Sequence, residues 1–444
     1  MVDRALQVRE LAGNPIRVGI IGAGATGRAI ALQLGTPVPG MRLAAIANRS
    51  PHHAEQAFLE AGISEWVRVD SASRAEAAIN SGLPALTDDP FVITACNALD
   101  VIVEVTGTVE PAARAVLDAF RCGKHVVLAN AELDSVLGPI LKTKAETAGV
   151  VLTNTDGDEP GVAMTLLRYL RSLGLHIVAV GNIKGMLDYY RTPGTQQAFA
   201  EKFRQDAKKV TSFADGTKLS MEACVIANAT GFRVGRRGMY GPACTNVREI
   251  ADCLPPEEML ATGLVDYVVG AAPHTGAFVI VHEDSPLKKA QLAYYKLGDG
   301  PFYVFYTPFH LPHIQIASTI ARAVLGHDAT VAPLAGPVCE VVAVAKRDLK
   351  RGERLDGVGG FCTYGLIDNA PAARADEALP IALSEGCVLR RNIRKDEVLS
   401  FKDVDAGRKG LAESLWREQS LRWPAAAPLA QTPVRQDFSM AGVK

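Results

Sequence analysis

The chain has 444 residues, 48% hydrophobic and 21% charged, with 47 Lys and Arg against 48 Asp and Glu. A net charge of −1 excludes the basic surface of a nucleic-acid or anionic-membrane binder, and apolar runs that stop at strand length exclude a membrane-spanning helix. The length predicts two or three domains, and eight cysteines without C-x-x-C pairs read as reduced thiols of a cytoplasmic protein, neither a disulfide framework nor a zinc site. No apolar h-region follows the charged first residues, so no signal peptide is expected.

Residues 1–14 read as a polar helical lead-in. Ile16 to Ile21 is then an apolar run of strand length, followed by Gly22-Ala23-Gly24-Ala25-Thr26-Gly27, a helical stretch from Arg28 to Leu34, and a second strand from Leu43 to Ala47. Strand, G-x-G-x-x-G, helix and strand in one short unit predict a dinucleotide site. Gly22, Gly24, Ala25, Thr26 and Gly27 would cradle the pyrophosphate on exposed N–H groups at a helix N-terminus. Where NAD binders usually carry Asp or Glu, this chain has Asn48-Arg49-Ser50. With no carboxylate to repel a 2′-phosphate and Arg49 to pair with one, the expected cofactor is NADP(H).

Leu99 to Gly107 reads as a buried parallel strand, placing Thr106, Gly107 and Thr108 against the ribose and nicotinamide. A helix from Glu110 to Cys122 leads to a strand ending in Asn130-Ala131-Glu132, so Asn130 and Glu132 join the cofactor set; His125 is read as a structural residue of that strand. Val150 to Thr153 completes a doubly wound parallel sheet. The acidic turn Asp156-Gly157-Asp158-Glu159 then precedes a helix opening at Pro160-Gly161. A dipole-favoured helix start and a proton-handling or metal site both fit it.

Residues 176–330 hold the densest polar chemistry: a strand from His176 to Val180, then Gly181-Asn182-Ile183-Lys184-Gly185, Thr211-Ser212-Phe213-Ala214-Asp215-Gly216-Thr217-Lys218 after a helix, and a helical run from Leu219 to Ala227. Hydride chemistry needs a proton donor beside the reacting carbon, and Lys with a tuning carboxylate suits that work. Lys184, Asp215, Lys218 and Asp158 are the catalytic candidates. Asn182, Asp188, Arg191 and Asn228 are placed at the substrate. Arg236 and Arg237 would clamp a substrate phosphate or carboxylate, with Tyr240, Tyr306 and His310 as pocket wall. His310 and His313 lack a third ligand and are not read as a metal pair. Asp266–Gly270 and Ala277–Val281 read as antiparallel strands, and Ile314 to Leu325 as a helix returning to the sheet. Val338 to Ala345 is an alternating strand. AKRDLKRGERLD and the later RNIRKDEVLSFKDVD echo each other as parts of a small β module. A helix to about Arg422 and a Pro/Ala-rich tail, expected to be mobile, end the sequence.

The glycine-rich unit with GNIKG, FADGTK and ANATGFRVGRRGMYG resembles homoserine-dehydrogenase-like oxidoreductases that carry a C-terminal SAF domain, whose signature the two echoing segments resemble. Within that group the chain is similar to the DXR-like enzymes, which share the activity of 1-deoxy-D-xylulose 5-phosphate reductoisomerase in isoprenoid biosynthesis. The resemblance implies NADPH-dependent reduction of a small phosphorylated sugar with a skeletal rearrangement, a divalent cation such as Mg2+ or Mn2+, and a homodimer. The Asp215–Lys218 segment fills the place of the homoserine dehydrogenases' Lys and acids, whereas GNIKG departs from their corresponding segment, which counts against homoserine itself.

The expected architecture is α/β: a Rossmann domain over 1–155, a central α+β substrate and dimerisation domain over 156–334, a SAF-like β domain over 335–410, and a helix and tail over 411–444. The alternatives are a homoserine-dehydrogenase-like enzyme on another small substrate and a non-catalytic NADP-binding sensor or scaffold.

Overall fold

The structure, a computed structural model, describes residues 2–407 and 410–424. The Pro/Ala-rich tail lies almost wholly outside the described residues. Runs of Val, Ile and Ala in strands buried on both faces build a seven-stranded parallel sheet. From one edge its strands are Val67–Arg68, Ala85–Thr87, Met41–Ala47, Ile16–Ile21, Val101–Glu104, His125–Leu128 and Leu152–Asn154. Strand order reverses between Ile16–Ile21 and Val101–Glu104. The glycine turn and the Thr106 loop therefore flank the crevice where such sheets bind ligands. The strand read as Leu99–Gly107 is shorter, Val101–Glu104, because Gly107 turns at φ +66°. His125 accepts a hydrogen bond at Nδ1 from the Val151 N–H (3.0 Å), which agrees with its structural reading.

A second sheet of four strands follows in the order Phe302–Thr307, Ala277–His282, His176–Lys184, Leu264–Val269. The strand read as His176–Val180 runs on through Lys184, so Asn182 and Lys184 stand on it. Leu264–Val269 and Ala277–His282 run antiparallel as expected but do not pair; His176–Lys184 lies between them, parallel to the former and antiparallel to the latter. Helices Glu159–Ser172 and Thr217–Thr230 pack on this sheet. Lys218 is in the first turn of the second of these, and Thr211–Ala214 closes a helix of its own, Ala207–Ala214.

The C-terminal β module pairs Cys339–Ala345 with Thr363–Asn369 antiparallel. Its echoing segments bond each other through Leu349 N–H to Ile393 O (2.8 Å) and Ile393 N–H to Leu349 O (3.0 Å). The module is no appended bead. Val341, Ile367 and Leu389 share one buried core with Leu167, Val180 and Val225 of the central domain. Helix Leu411–Arg422 then returns to the first domain. Glu110 caps it by accepting the Leu411 and Ala412 N–H groups (3.0 and 2.7 Å), and buried Gln419 bonds Ile140 N–H and Val136 O (3.1 and 3.0 Å). Among the described residues no helix is long and apolar enough to cross a membrane.

Candidate functional site

The glycine turn explains itself position by position. Gly22 sits at φ +110°, and a Cβ there would come within 3.0 Å of the Val105 backbone. A Cβ on Gly27 would lie 2.1 Å from Gly22 O. Gly24 is different: it has ordinary φ of −69°, and nothing stands within 4 Å of where its Cβ would be. Internal packing explains the first two glycines and not the third. The space over Gly24, at a helix N-terminus without a side-chain cap, fits a ligand phosphate approaching the backbone. Replacing Gly27 with Ala should therefore push the turn outward, lower stability by about 1–3 kcal/mol and weaken dinucleotide binding; thermal melts and calorimetric titration with NADP+ check both.

Asn48 braces this turn. Its Oδ1 accepts from the Ala23 N–H and its amide donates one hydrogen to Ser50 O, both at 2.9 Å, which leaves its second N–H unused. Arg49 and Ser50 are exposed. On the far side of the crevice, Glu104 gathers the Thr106 N–H and hydroxyl and the Asn130 amide, which also donates to Thr108 O (2.8 Å). Burial pushes the Glu104 carboxyl up to about 7 despite these donors. Asn130 thus shapes the Thr106–Thr108 loop while capping helix Ala131–Thr147.

The polar centre lies past the ends of the strands. Asn182 and Lys184 are two apart and share a strand face; Lys218 and Glu222 are four apart and share a helix face. The turn after Leu152–Asn154 adds Asp158 and Glu159. Asp158 is the cap residue of its helix yet makes no side-chain cap bond; its carboxylate faces Lys218 (3.7 Å). Lys184 Nζ lies 2.6 Å from Glu159 and 3.5 Å from Glu222, and Lys218 Nζ is 3.9 Å from Glu222. Asn182 donates to Glu222 (3.2 Å), and its own Oδ1 is buried without a partner. His310 closes the group, with Nε2 at 3.6 Å from Glu159 and Nδ1 at 3.0 Å from the Thr275 hydroxyl. Gly157 permits this, because any Cβ there would strike Leu311 O.

Burial opposes both ammonium charges, but the surrounding carboxylates outweigh it. Glu159 and Glu222 hold Lys184 above the usual lysine range, and Glu132, Asp158 and Glu222 do the same for Lys218. Burial and then Glu159 push Glu222 well up; burial likewise raises Asp158. Burial works against Glu159 too, yet Lys184 and His310 keep it ionised below the usual range. The result is two lysines and Glu159 held in their charged forms beside two carboxyls, Asp158 and Glu222, that burial shifts upward. Asp158, Glu159 and Glu222 bring carboxylate oxygens within 4.8 Å of one another, hard ligands of the kind Mg2+ or Mn2+ takes. Lys184 and Lys218 stand against these same carboxylates and answer their charge.

Several of the residues singled out in the sequence stand elsewhere. Asp215 is a correction: it is fully buried and ion-paired at 2.7 Å with Lys346 of the β module. Arg237 pairs with Asp368 (2.7 Å) and Asp376 (2.5 Å) of the same module, so it is no substrate clamp. Arg236 donates to the carbonyls of Met239 and Tyr240 (3.0 and 3.2 Å), and the Tyr240 hydroxyl bonds Glu258 (2.7 Å). Asn228 Oδ1 accepts the Val338 and Cys339 N–H groups, tying the module's entry to the helix. Asp188 and Arg191 pair with each other (3.0 Å) in the loop between strand His176–Lys184 and helix Pro193–Lys202, and Tyr306 faces the Arg248 guanidinium at 6.0 Å. Sequence reasoning misses Glu222; its only signal is the i, i+4 spacing from Lys218 inside an otherwise apolar helix.

The fold and site define a dinucleotide-binding α/β protein with a lysine–carboxylate centre in a second domain. Residues 22–153 match the homoserine dehydrogenase NAD-binding domain, residues 157–316 the oxidoreductase DRL catalytic domain, and residues 340–405 the SAF domain. The chain therefore carries a homoserine-dehydrogenase-like NAD-binding domain, an oxidoreductase catalytic domain and a SAF domain. It is 34% identical over 140 residues to a homoserine dehydrogenase of Pseudomonas aeruginosa, covering 31% of this chain and 28% of that one. It is 31% identical over 134 residues to a homoserine dehydrogenase of Neisseria gonorrhoeae, covering 30% and 28%. The chain thus spans under a third of the length of these curated relatives. Among solved structures it is similar to a putative myo-inositol dehydrogenase from Sinorhizobium meliloti, at 11% identity and TM-score 0.39 over 70% of this chain and 90% of that one.

Proposed function

We propose that this protein is an NADP(H)-dependent oxidoreductase that interconverts a hydroxyl and a carbonyl on a small polar substrate. The observation that carries the reading is the meeting of Lys184 and Lys218 with Asp158, Glu159 and Glu222 beyond the strand ends. A non-catalytic sensor has no need of two ammonium groups and three buried carboxyls confined together.

The bound cofactor supplies or accepts a hydride. The chain's own residues handle the oxygen at the reacting carbon. In the reductive direction, negative charge grows on the carbonyl oxygen. Lys184 and Lys218 donate hydrogen bonds to it, and an alkoxide is basic enough to take a proton from a lysine held above its usual range. Glu222, 3.5 Å from Lys184 and shifted upward by burial, is placed to relay a proton to that amine. Glu159 and His310 fix the direction in which Lys184 points.

Within this class we place a phosphorylated ketose first, 1-deoxy-D-xylulose 5-phosphate with its coupled rearrangement, because the DXR-like enzymes fall within the group of SAF-bearing homoserine-dehydrogenase-like oxidoreductases that the chain resembles. A small hydroxy acid is the second reading, supported by the similarity of the first domain to homoserine dehydrogenases. Incubation with NADPH and a panel of sugar phosphates and keto or hydroxy acids, followed by nicotinamide absorbance, tests the reading. Absence of turnover across the panel together with absence of dinucleotide binding would overturn it.

Cofactor choice has its own test. Exposed Arg49, at the end of Met41–Ala47, is the group offered to a 2′-phosphate. Arg49→Glu should weaken NADP+ roughly tenfold to a hundredfold and leave NAD+ unchanged or tighter. Equal loss for both dinucleotides would mean that Arg49 does not read the 2′ position.

A further inference from the structure

Helix Ala207–Ala214 belongs to the central domain, yet one of its side chains reaches the glycine turn of the first. Lys209 Nζ donates to the Thr26 hydroxyl at 3.0 Å. Its neighbour Lys208 turns the other way and donates to Asp356 O of the β module. The backbone of Lys209 is fixed by its helix cap, since Asp206 accepts the Lys209 N–H at 3.0 Å. The side chain is thus aimed by a helix start and not by a mobile loop.

The position is electrostatically odd. Among the described residues Lys209 has no carboxylate within ion-pair distance; its contact is a neutral hydroxyl, which leaves ammonium donors unused. The charged groups around it are Glu132, Lys218, Asp158 and Asp206, of which Lys218 is itself a cation. Burial and Lys218 together work against its charge. Thr26 stands in the first turn of helix Ala25–Gly35, whose N-terminus carries partial positive charge and unsatisfied N–H groups and whose cap residue, Gly24, offers no side chain. Glu132, Asp158 and Asp206 favour the ammonium from beyond ion-pair distance, and its one hydrogen bond places it against the positive helix end. The open volume over Gly24 adjoins the same turn.

We propose that Lys209 is a pyrophosphate ligand lent by the catalytic domain: on binding, the dinucleotide's diphosphate inserts between the Ala25–Gly27 backbone and the Lys209 ammonium and ties the two domains together. This rests on the dinucleotide reading above and adds to it a residue that lies outside the G-x-G-x-x-G unit. A diphosphate carries the two negative charges that the ammonium and the helix end together call for. Thr26 holds the lysine in place until the anion arrives.

The test uses the full chain and calorimetric titration with three probes: NADP+, ADP-ribose, which keeps the diphosphate and lacks nicotinamide and 2′-phosphate, and adenosine 2′-phosphate, which lacks the diphosphate. In Lys209→Met, NADP+ and ADP-ribose should each bind roughly tenfold to a hundredfold more weakly, with adenosine 2′-phosphate within twofold of the parent. The salt dependence of ADP-ribose binding should flatten in the same variant. Lys209→Arg should regain most of the affinity, and circular dichroism melts of both variants should match the parent. Should Met destabilise the fold, Lys209→Gln takes its place in the same titrations. If ADP-ribose binds the Met or Gln variant as tightly as the parent, the assignment of Lys209 falls and the dinucleotide reading stands. If the parent binds neither NADP+ nor ADP-ribose, both fall.

Discussion

Lys218→Met is expected to lower kcat by about 10²- to 10⁴-fold while NADP+ binds within threefold of the parent. Met keeps the apolar stem that packs the first turn of helix Thr217–Thr230 and removes the charge alone. The charge matters because Lys218 is where Glu132, Asp158 and Glu222 converge. Without it, Asp158 and Glu222, already pushed up by burial, shift further up, so protonation is the route by which the variant avoids stranded charge; a thermal melt of the variant checks that it folds. What disappears is a donor aimed at an oxygen on which charge develops during hydride transfer. Steady-state kinetics on whichever substrate the panel identifies, with cofactor titration on the same preparation, separates chemistry from binding. Equal losses in both would place Lys218 in the scaffold; no loss in either would remove it from the site.

Lys346→Met should produce the largest change in stability. Lys346 is 5% exposed and lies 2.7 Å from Asp215, which is itself fully buried. The same ammonium donates to Arg191 O and Gly360 O, both at 2.7 Å. Removing it leaves a carboxylate in the interior with no cation, which costs about 3–5 kcal/mol. Urea unfolding should show this as a lower midpoint at unchanged slope. Lys346→Met with Asp215→Asn should recover much of the loss, because the amide has no charge to strand. The pair also touches function. Arg191 closes the loop that follows Lys184, and Asp215 accepts the Thr217 N–H (2.8 Å) one residue before Lys218. One lysine of the SAF module thus steadies the approach to both site lysines. If the single variant unfolds like the parent, the ion pair is not a brace between these domains.

The glycine unit is legible in the sequence because everything that defines it is local: two apolar runs of strand length, glycines at fixed offsets and a helix between them. Lys184 and Lys218 are legible for a related reason, since each lies close to a glycine in a polar stretch. Their partners are not. Asp215 and Glu222 flank Lys218 at similar distances in sequence, but Asp215 faces across a domain boundary to Lys346 while Glu222 faces inward. That choice is made by the rotation of one helix against one strand, and no local pattern carries it. Arg236 and Arg237 mislead in the same way. A basic pair among glycines reads as a phosphate clamp until the acids of the β module, Asp368 and Asp376, are folded against Arg237. Read from the sequence, the strand ends at Val180, before the GNIKG segment and its glycines. Pairing on both edges, to Leu264–Val269 and Ala277–His282, overrides them, and Gly181 is required by its strand neighbour: a Cβ there would strike Asp266 O.

The return of helix Leu411–Arg422 to the first domain has a consequence for biosynthesis. The NAD-binding sheet is synthesised before the segment that covers helices Glu110–Arg121 and Ala131–Thr147. Until that segment docks, Glu110 keeps only its bonds from Arg114, and the apolar surface that Leu415 later buries stays wet. Completion of the earlier-made domain therefore waits on the later-made helix, and a nascent chain stalled between the two presents a sticky flank to whatever chaperone meets it.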